Sequence, residues 1–173
     1  MELVLLQKEF DEKNISIETE EVFQHLKDFL FDDSKEYISS KLCSIYALEI
    51  DNYIRGYMSL SASVIRMQQK YLGCFIRGNL DDLEGVGFPI PGLLIGKLLI
   101  DKNLRGNGYG KKLLTFAIAK AFELSKTIGV RSIIVDANNN SVGFYKKSGF
   151  IDIEKKDQTT KMLFDLKELE DLN

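Results

Sequence analysis

The sequence predicts an α+β fold in which a central sheet, mixed but mostly antiparallel, is flanked by helices. Three observations predict it. Two strand-like runs are separated only by the turn dipeptide Asp51-Asn52. Between Leu93 and Val135 an apolar strand leads through a glycine-rich turn into an amphipathic helix and then a second apolar strand. A last pair of short strands falls between Phe150 and Leu166. With 173 residues and 45% hydrophobic content the chain has the material for one continuous core, so a single domain over residues 1–173 is expected.

The elements follow in order. Leu3 to Leu6 is a short apolar strand, and from Thr19 to Phe31 the residues Val22, Leu26, Phe29 and Leu30 fall at helical spacing. Leu42 to Ile50 reads as a strand and Tyr53 to Met67 as its antiparallel partner, with Gly56 marking a bulge or bend. Residues 68–92 carry Gly73, Gly78, Gly85, Gly87, Pro89, Pro91 and Gly92, which break both periodicities. They read as a long loop with at most a short helix, either a substrate-facing element or a variable surface loop.

Leu93 to Asp101 is almost wholly apolar and predicts a strand. A helix is expected from about Gly108 to Thr127, where Leu114, Ala117, Ile118, Ala121 and Phe122 form one stripe and Gly129 supplies a stop. Ser132 to Val135 is a buried-type strand, and Ser141 to Ser148 a short helix closed by Gly149. Phe150–Ile153 and Lys161–Leu166 complete the sheet, and the acidic tail from Asp165 reads as a short helix or a frayed end.

The longest apolar stretches, such as Gly92 to Ile100, are far below the roughly 20 residues that span a bilayer. The Met1-Glu2 start lacks a basic n-region and an apolar h-region, so a cytoplasmic protein with no membrane partner is expected. Cys43 and Cys74 show neither C-x-x-C nor Cys/His spacing, which reads as two free thiols and no metal site. The net charge of −3 hides a segregation: residues 1–50 hold five Lys/Arg against twelve Asp/Glu, whereas residues 97–131 hold eight against two. A local basic segment suits an anionic ligand. By itself it suits a solvated helix face equally well.

The glycines add to the charge. Arg105-Gly106-Asn107-Gly108-Tyr109-Gly110 stands between the apolar strand and the helix and is followed by Lys111-Lys112. Glycines let the backbone approach a ligand and turn its N–H groups outward, and a helix N-terminus carries about half a positive charge. Such a turn cradles a pyrophosphate. Two commoner phosphate motifs fail on spacing: the dinucleotide fingerprint needs a third glycine where Lys111 stands, and a Walker A loop needs glycine and Ser/Thr where Arg105 and Lys112 stand.

Arg-x-x-Gly-x-Gly after an apolar strand, as in Arg105, Gly108 and Gly110, resembles motif A of the GNAT acetyltransferases. Downstream, Asn138-x-x-Ser141-Val142-x-Phe144-Tyr145-Lys146-Lys147-Ser148-Gly149-Phe150 is similar to that family's N-x-x-A-x-x-Φ-Y-x-x-x-G-F segment, with Ser141 where alanine is usual. The resemblance covers about residues 93–152, is weaker over Ile54 to Ser63, and says little about residues 1–41.

It implies the GNAT fold, in which Leu93–Asp101 and Ser132–Val135 are parallel neighbours joined by one helix, with the pantetheine arm of acetyl-CoA in a gap between them. By the same resemblance Leu99 and Ile100 offer backbone hydrogen bonds to pantetheine. Arg105, Gly106, Asn107, Gly108, Tyr109, Gly110 and Lys111 hold the pyrophosphate, and Asn138 and Phe144 touch the cofactor. A backbone N–H near Leu99 would polarise the thioester carbonyl. Tyr145 would be the general acid that protonates the departing thiolate, the alternative being a tyrosine that only packs.

No carboxylate or histidine stands in a diagnostic position for a general base. Glu49, Asp51 and Glu84 flank strands or the loop and qualify only by that proximity, and an ordered water serves as well. His25, the single histidine, falls on the polar side or boundary of the first helix and reads as solvated or capping.

A narrower similarity joins Gly56-Tyr57-Met58-Ser59-Leu60-Ser61, the run Pro91 to Asp101 and the run Val130 to Ala137 to toxin acetyltransferases that act on aminoacyl-tRNA, with Lys97 where arginine is usual. The expected activity is acetyl transfer from acetyl-CoA to a primary amine of a small molecule or protein. Aminoacyl-tRNA is the alternative acceptor, and a non-catalytic coenzyme A binder the third reading. A homodimer is left open.

Overall fold

The computed structural model describes residues 1–7, 9–67 and 87–169. Seven strands form a mixed sheet: β1 (Glu2–Leu5), β2 (Ser44–Ile50), β3 (Tyr53–Met67), β4 (Phe88–Ile100), β5 (Ser132–Asn138), β6 (Ile151–Lys155) and β7 (Thr159–Asp165). Their order is β1-β2-β3-β4-β5-β7-β6, so β4 and β5 are neighbours as expected. The helices are α1 (Gln24–Asp32), α2 (Ser34–Ser39), α3 (Tyr109–Ser125) and α4 (Val142–Lys146). No helix of the described residues is long and apolar enough to cross a membrane. The chain divides into two compact units, Met1–Ser61 with Ile95–Ala119 and Ala62–Leu94 with Lys120–Asn173.

In the first unit, β1, β2 and β3 form an antiparallel meander. Asp51 and Asn52 both take left-handed backbone angles, φ 53° and 66°, as a two-residue primed turn requires. Leu48 faces Gly56 while Glu49 faces Ile54, so Arg55 is the extra residue of a bulge at the position expected from Gly56. An added Cβ at Gly56 would lie 2.7 Å from Ile100 Cδ1 and 2.8 Å from the Leu99 carbonyl oxygen. Gly56→Ala should therefore cost about 1–3 kcal/mol by overpacking, and a thermal melt should show Tm lowered by several degrees. An unchanged Tm would show that the strands part freely at this point.

Helix α1 starts five residues later than the spacing predicts, after a single 3₁₀ turn over Glu21–Phe23. Thr19 and Glu20 precede that turn, and their side chains accept hydrogen bonds from the Arg105 guanidinium. Val22 is exposed, while Phe29 and Leu30 enter a core with Ile45, Tyr57 and Leu99. The second helical piece, α2, was not anticipated. It follows α1 after Asp33 and is closed by Lys41 in the left-handed region.

In the second unit, β5 pairs antiparallel with β7, which in turn pairs with β6. The expected loop over residues 68–92 is corrected at its end, because β4 begins at Phe88. Pro89 and Pro91 read as breakers, yet they alternate with buried Ile90 and Gly92 and point outward. The Pro91 carbonyl accepts the Arg131 N–H at 2.9 Å, a pairing that needs no donor from proline. The rest of that loop, with Cys74 and Glu84, lies outside the described residues. Arg131 holds Asp165 through two hydrogen bonds of 2.6 and 2.8 Å beside a core of Ile65, Met67, Ile90, Ile134 and Leu163.

Candidate active site

The glycine turn belongs to the first unit. A 3₁₀ turn over Lys102–Leu104 follows β4, and α3 then starts at Tyr109. Gly106 and Gly108 both have φ +81°, and an added Cβ at either would meet nothing within 4 Å. The backbone therefore lies open to an approaching group. At the start of α3 the N–H groups of Tyr109, Gly110 and Lys111 have no carbonyl one turn earlier to bind, and Lys112 donates the first such bond, to Gly108 at 3.0 Å. Lys111 and Lys112 are exposed beside them, so donors, helix dipole and cations gather at one turn.

Arg105 is not free for that turn. Its Nη1 donates to Glu20 Oε2 at 2.6 Å, Nη2 to Thr19 Oγ1 at 3.3 Å and Nε to the Ile100 carbonyl at 3.2 Å, and the guanidinium lies 4.8 Å from the Phe23 ring centroid. The Glu20 carboxyl is held below its usual range, first by its own backbone N–H and then by Arg105. Leu99 and Ile100 are buried at the end of β4.

Asp101, which sequence reasoning passed over, is fully buried. It accepts hydrogen bonds from Glu18 N at 2.9 Å and Asn103 N at 2.8 Å and faces Arg55 Nη2 at 3.4 Å. An aspartate ending an apolar strand and followed two residues later by asparagine was the available signal.

Asn138, Phe144 and Tyr145 belong to the second unit. Asn138 ends β5, and its Oδ1 accepts both the backbone N–H of Ser141 at 3.0 Å and its hydroxyl at 2.9 Å. Ser141 in place of the usual alanine thus adds a hydrogen bond that orients the Asn138 carboxamide, more than a neutral small-for-small change. Tyr145, 5% exposed, is packed edge-on between Phe144 and Phe150 at 5.0 and 5.3 Å. Burial pushes its phenol well above the ordinary value. Among the described residues its hydroxyl takes no hydrogen bond, unlike that of Tyr57, which donates to the Leu26 carbonyl at 2.5 Å.

The remaining expectations divide. His25 is exposed on α1, as its solvated reading requires. Glu49 lies in β2 opposite Glu2, and Asp51 is an exposed turn residue. Cys43 is a half-buried free thiol raised by desolvation, an effect that the nearby Lys97 opposes. Lys97 places its ammonium 3.9 Å from the Phe29 ring centroid. Among the described residues no three His, Cys, Asp or Glu side chains gather as a metal site would need.

The model of the acetyltransferase (GNAT) family matches residues 7–150. A tRNA-acetylating toxin of Mycobacterium tuberculosis is 32% identical over 71 residues, which are 40% of this chain and 39% of that protein. The peptidyl-lysine N-acetyltransferase YjaB of Salmonella typhimurium is 38% identical over 71 residues, 40% of this chain and 45% of that one. The chain thus spans less than half the length of these curated relatives. The toxin AtaT shares the fold: its complex with acetyl-methionyl-tRNAfMet superposes with TM-score 0.78 at 22% identity, covering 99% of this chain and 98% of that one. A tyrosine-to-phenylalanine mutant of AtaT, bound to acetyl-CoA and the C-terminus of the antitoxin AtaR, superposes with TM-score 0.75 at 22% identity, over 99% and 96%. With the family model covering most of the sequence and the glycine turn standing at a helix start, the chain belongs to the acetyltransferase (GNAT) family.

Proposed function

We propose that residues 1–173 form one acetyltransferase domain that moves an acetyl group from acetyl-CoA to a primary amine. The observation that carries the reading is the open turn at Gly106 and Gly108, set against the N-terminus of a 17-residue helix with two lysines beside it. Acetyl-CoA supplies an activated acetyl thioester and, in its pyrophosphate, the anion this turn suits.

Each residue then has a task. The N–H groups of residues 108–111 and Lys111 bind the anion, the backbone of Leu99 and Ile100 binds the pantetheine amides, and Asn138, oriented by Ser141, offers its amide N–H₂. Phe144 packs against the cofactor. Tyr145 holds on its Oη the proton that a departing thiolate needs. Its raised pKa keeps that proton in place across neutral and alkaline pH, and the same burial makes it a weaker acid than a solvated phenol.

For the acceptor, the amino group of aminoacyl-tRNA is favoured by the similarity of the Gly56–Ser61, Pro91–Asp101 and Val130–Ala137 runs to toxin enzymes, and by the tRNA-acetylating relative. A lysine amine on a protein is the second reading. It is favoured by the peptidyl-lysine relative and by the twelve acidic residues among the first fifty, which repel RNA. Radiolabelled acetyl-CoA offered with charged tRNA, with lysine peptides and with neither should label the tRNA. Label in peptide alone would move the acceptor to protein, and none in either, with the cofactor bound, would make the chain a coenzyme A binder.

A further inference from the structure

We infer that Arg105 is a positioning residue for the cofactor turn and not a ligand of its phosphates, and that it acts by clamping the segment Ser16–Phe23 to that turn. The inference rests on the turn being the acetyl-CoA site. The glycine turn has little packing of its own, since nothing lies within 4 Å of a Cβ at Gly106 or Gly108. Such a loop must be stiffened from its flanks if anion binding is not to pay for ordering it. On one side stands α3. On the other stands a set of contacts that all reach the same N-terminal segment.

Arg105 gives Nη1 to Glu20 and Nη2 to Thr19, spanning 85 and 86 residues of sequence, and stacks its guanidinium on Phe23. Buried Asp101 accepts the Glu18 N–H, and Lys102 N donates to the Glu18 carbonyl at 2.8 Å. Asn103 Nδ2 and Lys102 Nζ reach the Glu18 carboxylate at 3.4 and 3.3 Å. The segment is fastened at its other end as well, where Ser16 N donates to the Ile54 carbonyl at 3.0 Å. A guanidinium whose three nitrogens all hold protein oxygens fits a clamp.

The two roles make opposite predictions. A phosphate ligand is served by a point charge, so Arg105→Lys would retain acetyl-CoA affinity, and removing the competing Glu20 would leave it equal or tighter. A clamp needs the fork, so Arg105→Lys should weaken binding as much as Arg105→Ala, by roughly 2- to 30-fold. Glu20→Ala should likewise bind acetyl-CoA more weakly than Glu20→Gln, which removes the same charge but keeps a hydrogen-bond acceptor.

Calorimetry with acetyl-CoA on these four variants, the wild type and Gly108→Asp tests this, alongside hydrogen exchange over residues 16–23. The expected result is that pattern of affinities, a raised KM for acetyl-CoA with kcat retained at saturation, and exchange in the segment that slows on cofactor binding in the wild type and in Glu20→Gln but not in the other variants. Wild-type affinity in Arg105→Lys, or a Glu20→Ala that binds as well as Glu20→Gln, overturns the clamp while leaving the cofactor site standing. A folded wild type that fails to bind acetyl-CoA, or a Gly108→Asp that binds as well as it does, overturns the site itself.

Discussion

Tyr145→Phe should lower kcat by about 10²- to 10⁴-fold while the protein stays folded and acetyl-CoA affinity stays nearly unchanged. The substitution keeps the ring, and the ring is what packs: its neighbours are Phe144 and Phe150, and Phe150 continues to Phe164 at 5.6 Å. The hydroxyl is bonded to no described residue, so its loss leaves no buried partner unsatisfied, and Tm should hold. Because burial raises the phenol above its ordinary value near 10, the acid form persists through the alkaline range. Deprotonation of Tyr145 should therefore put no falling limb in the kcat profile below pH 10. Steady-state kinetics with the true acceptor, a melt and a binding titration read all three quantities. A variant that turns over at the wild-type rate but melts early would make Tyr145 a packing residue and leave solvent as the proton source.

Gly108→Asp should abolish most acetyl-CoA binding, with an affinity loss of roughly 10²-fold. Two effects add. A side chain disfavours φ +81° by about 1–2 kcal/mol, so the free turn relaxes away from the binding conformation and binding must restore it, and a carboxylate beside an incoming pyrophosphate adds about 1 kcal/mol per close charge even in water. Gly108→Ala separates them, since its Cβ enters open space and brings the strain alone. Calorimetry should rank wild type, alanine variant and aspartate variant in that order of falling affinity. Equal affinity across the three would remove the pyrophosphate from this turn.

Much of the fold was readable because it is local. The limits of β3, Tyr53 to Met67, match the expected run residue for residue, since an extended run and a two-residue turn at Asp51-Asn52 are set within a few positions. The bulge at Gly56 and the glycine turn before α3 were readable for the same reason: left-handed angles and close backbone approach leave few residues but glycine. The stripe of α3 showed in its period, although Leu113, outside the expected stripe, is as buried as Ala117.

What the sequence determined by itself was thus the family resemblance, the element types and the place of the glycine turn, all set by patterns shorter than a helix. Tertiary structure alone decided the partners. Glu20 lies 85 residues from Arg105 and Glu18 lies 83 from Asp101, and no periodicity in either segment records that they meet. Pro91 looks like a breaker until a neighbouring backbone N–H arrives that asks only for its carbonyl, as that of Arg131 does. From sequence Arg105 reads as a ligand, and only the fold shows that Nε, Nη1 and Nη2 each donate to a protein oxygen. Local conformation depends on each residue's own torsions and nearest neighbours, whereas hydrogen-bond satisfaction depends on whatever the fold brings near, and that was settled only when the chain closed on itself.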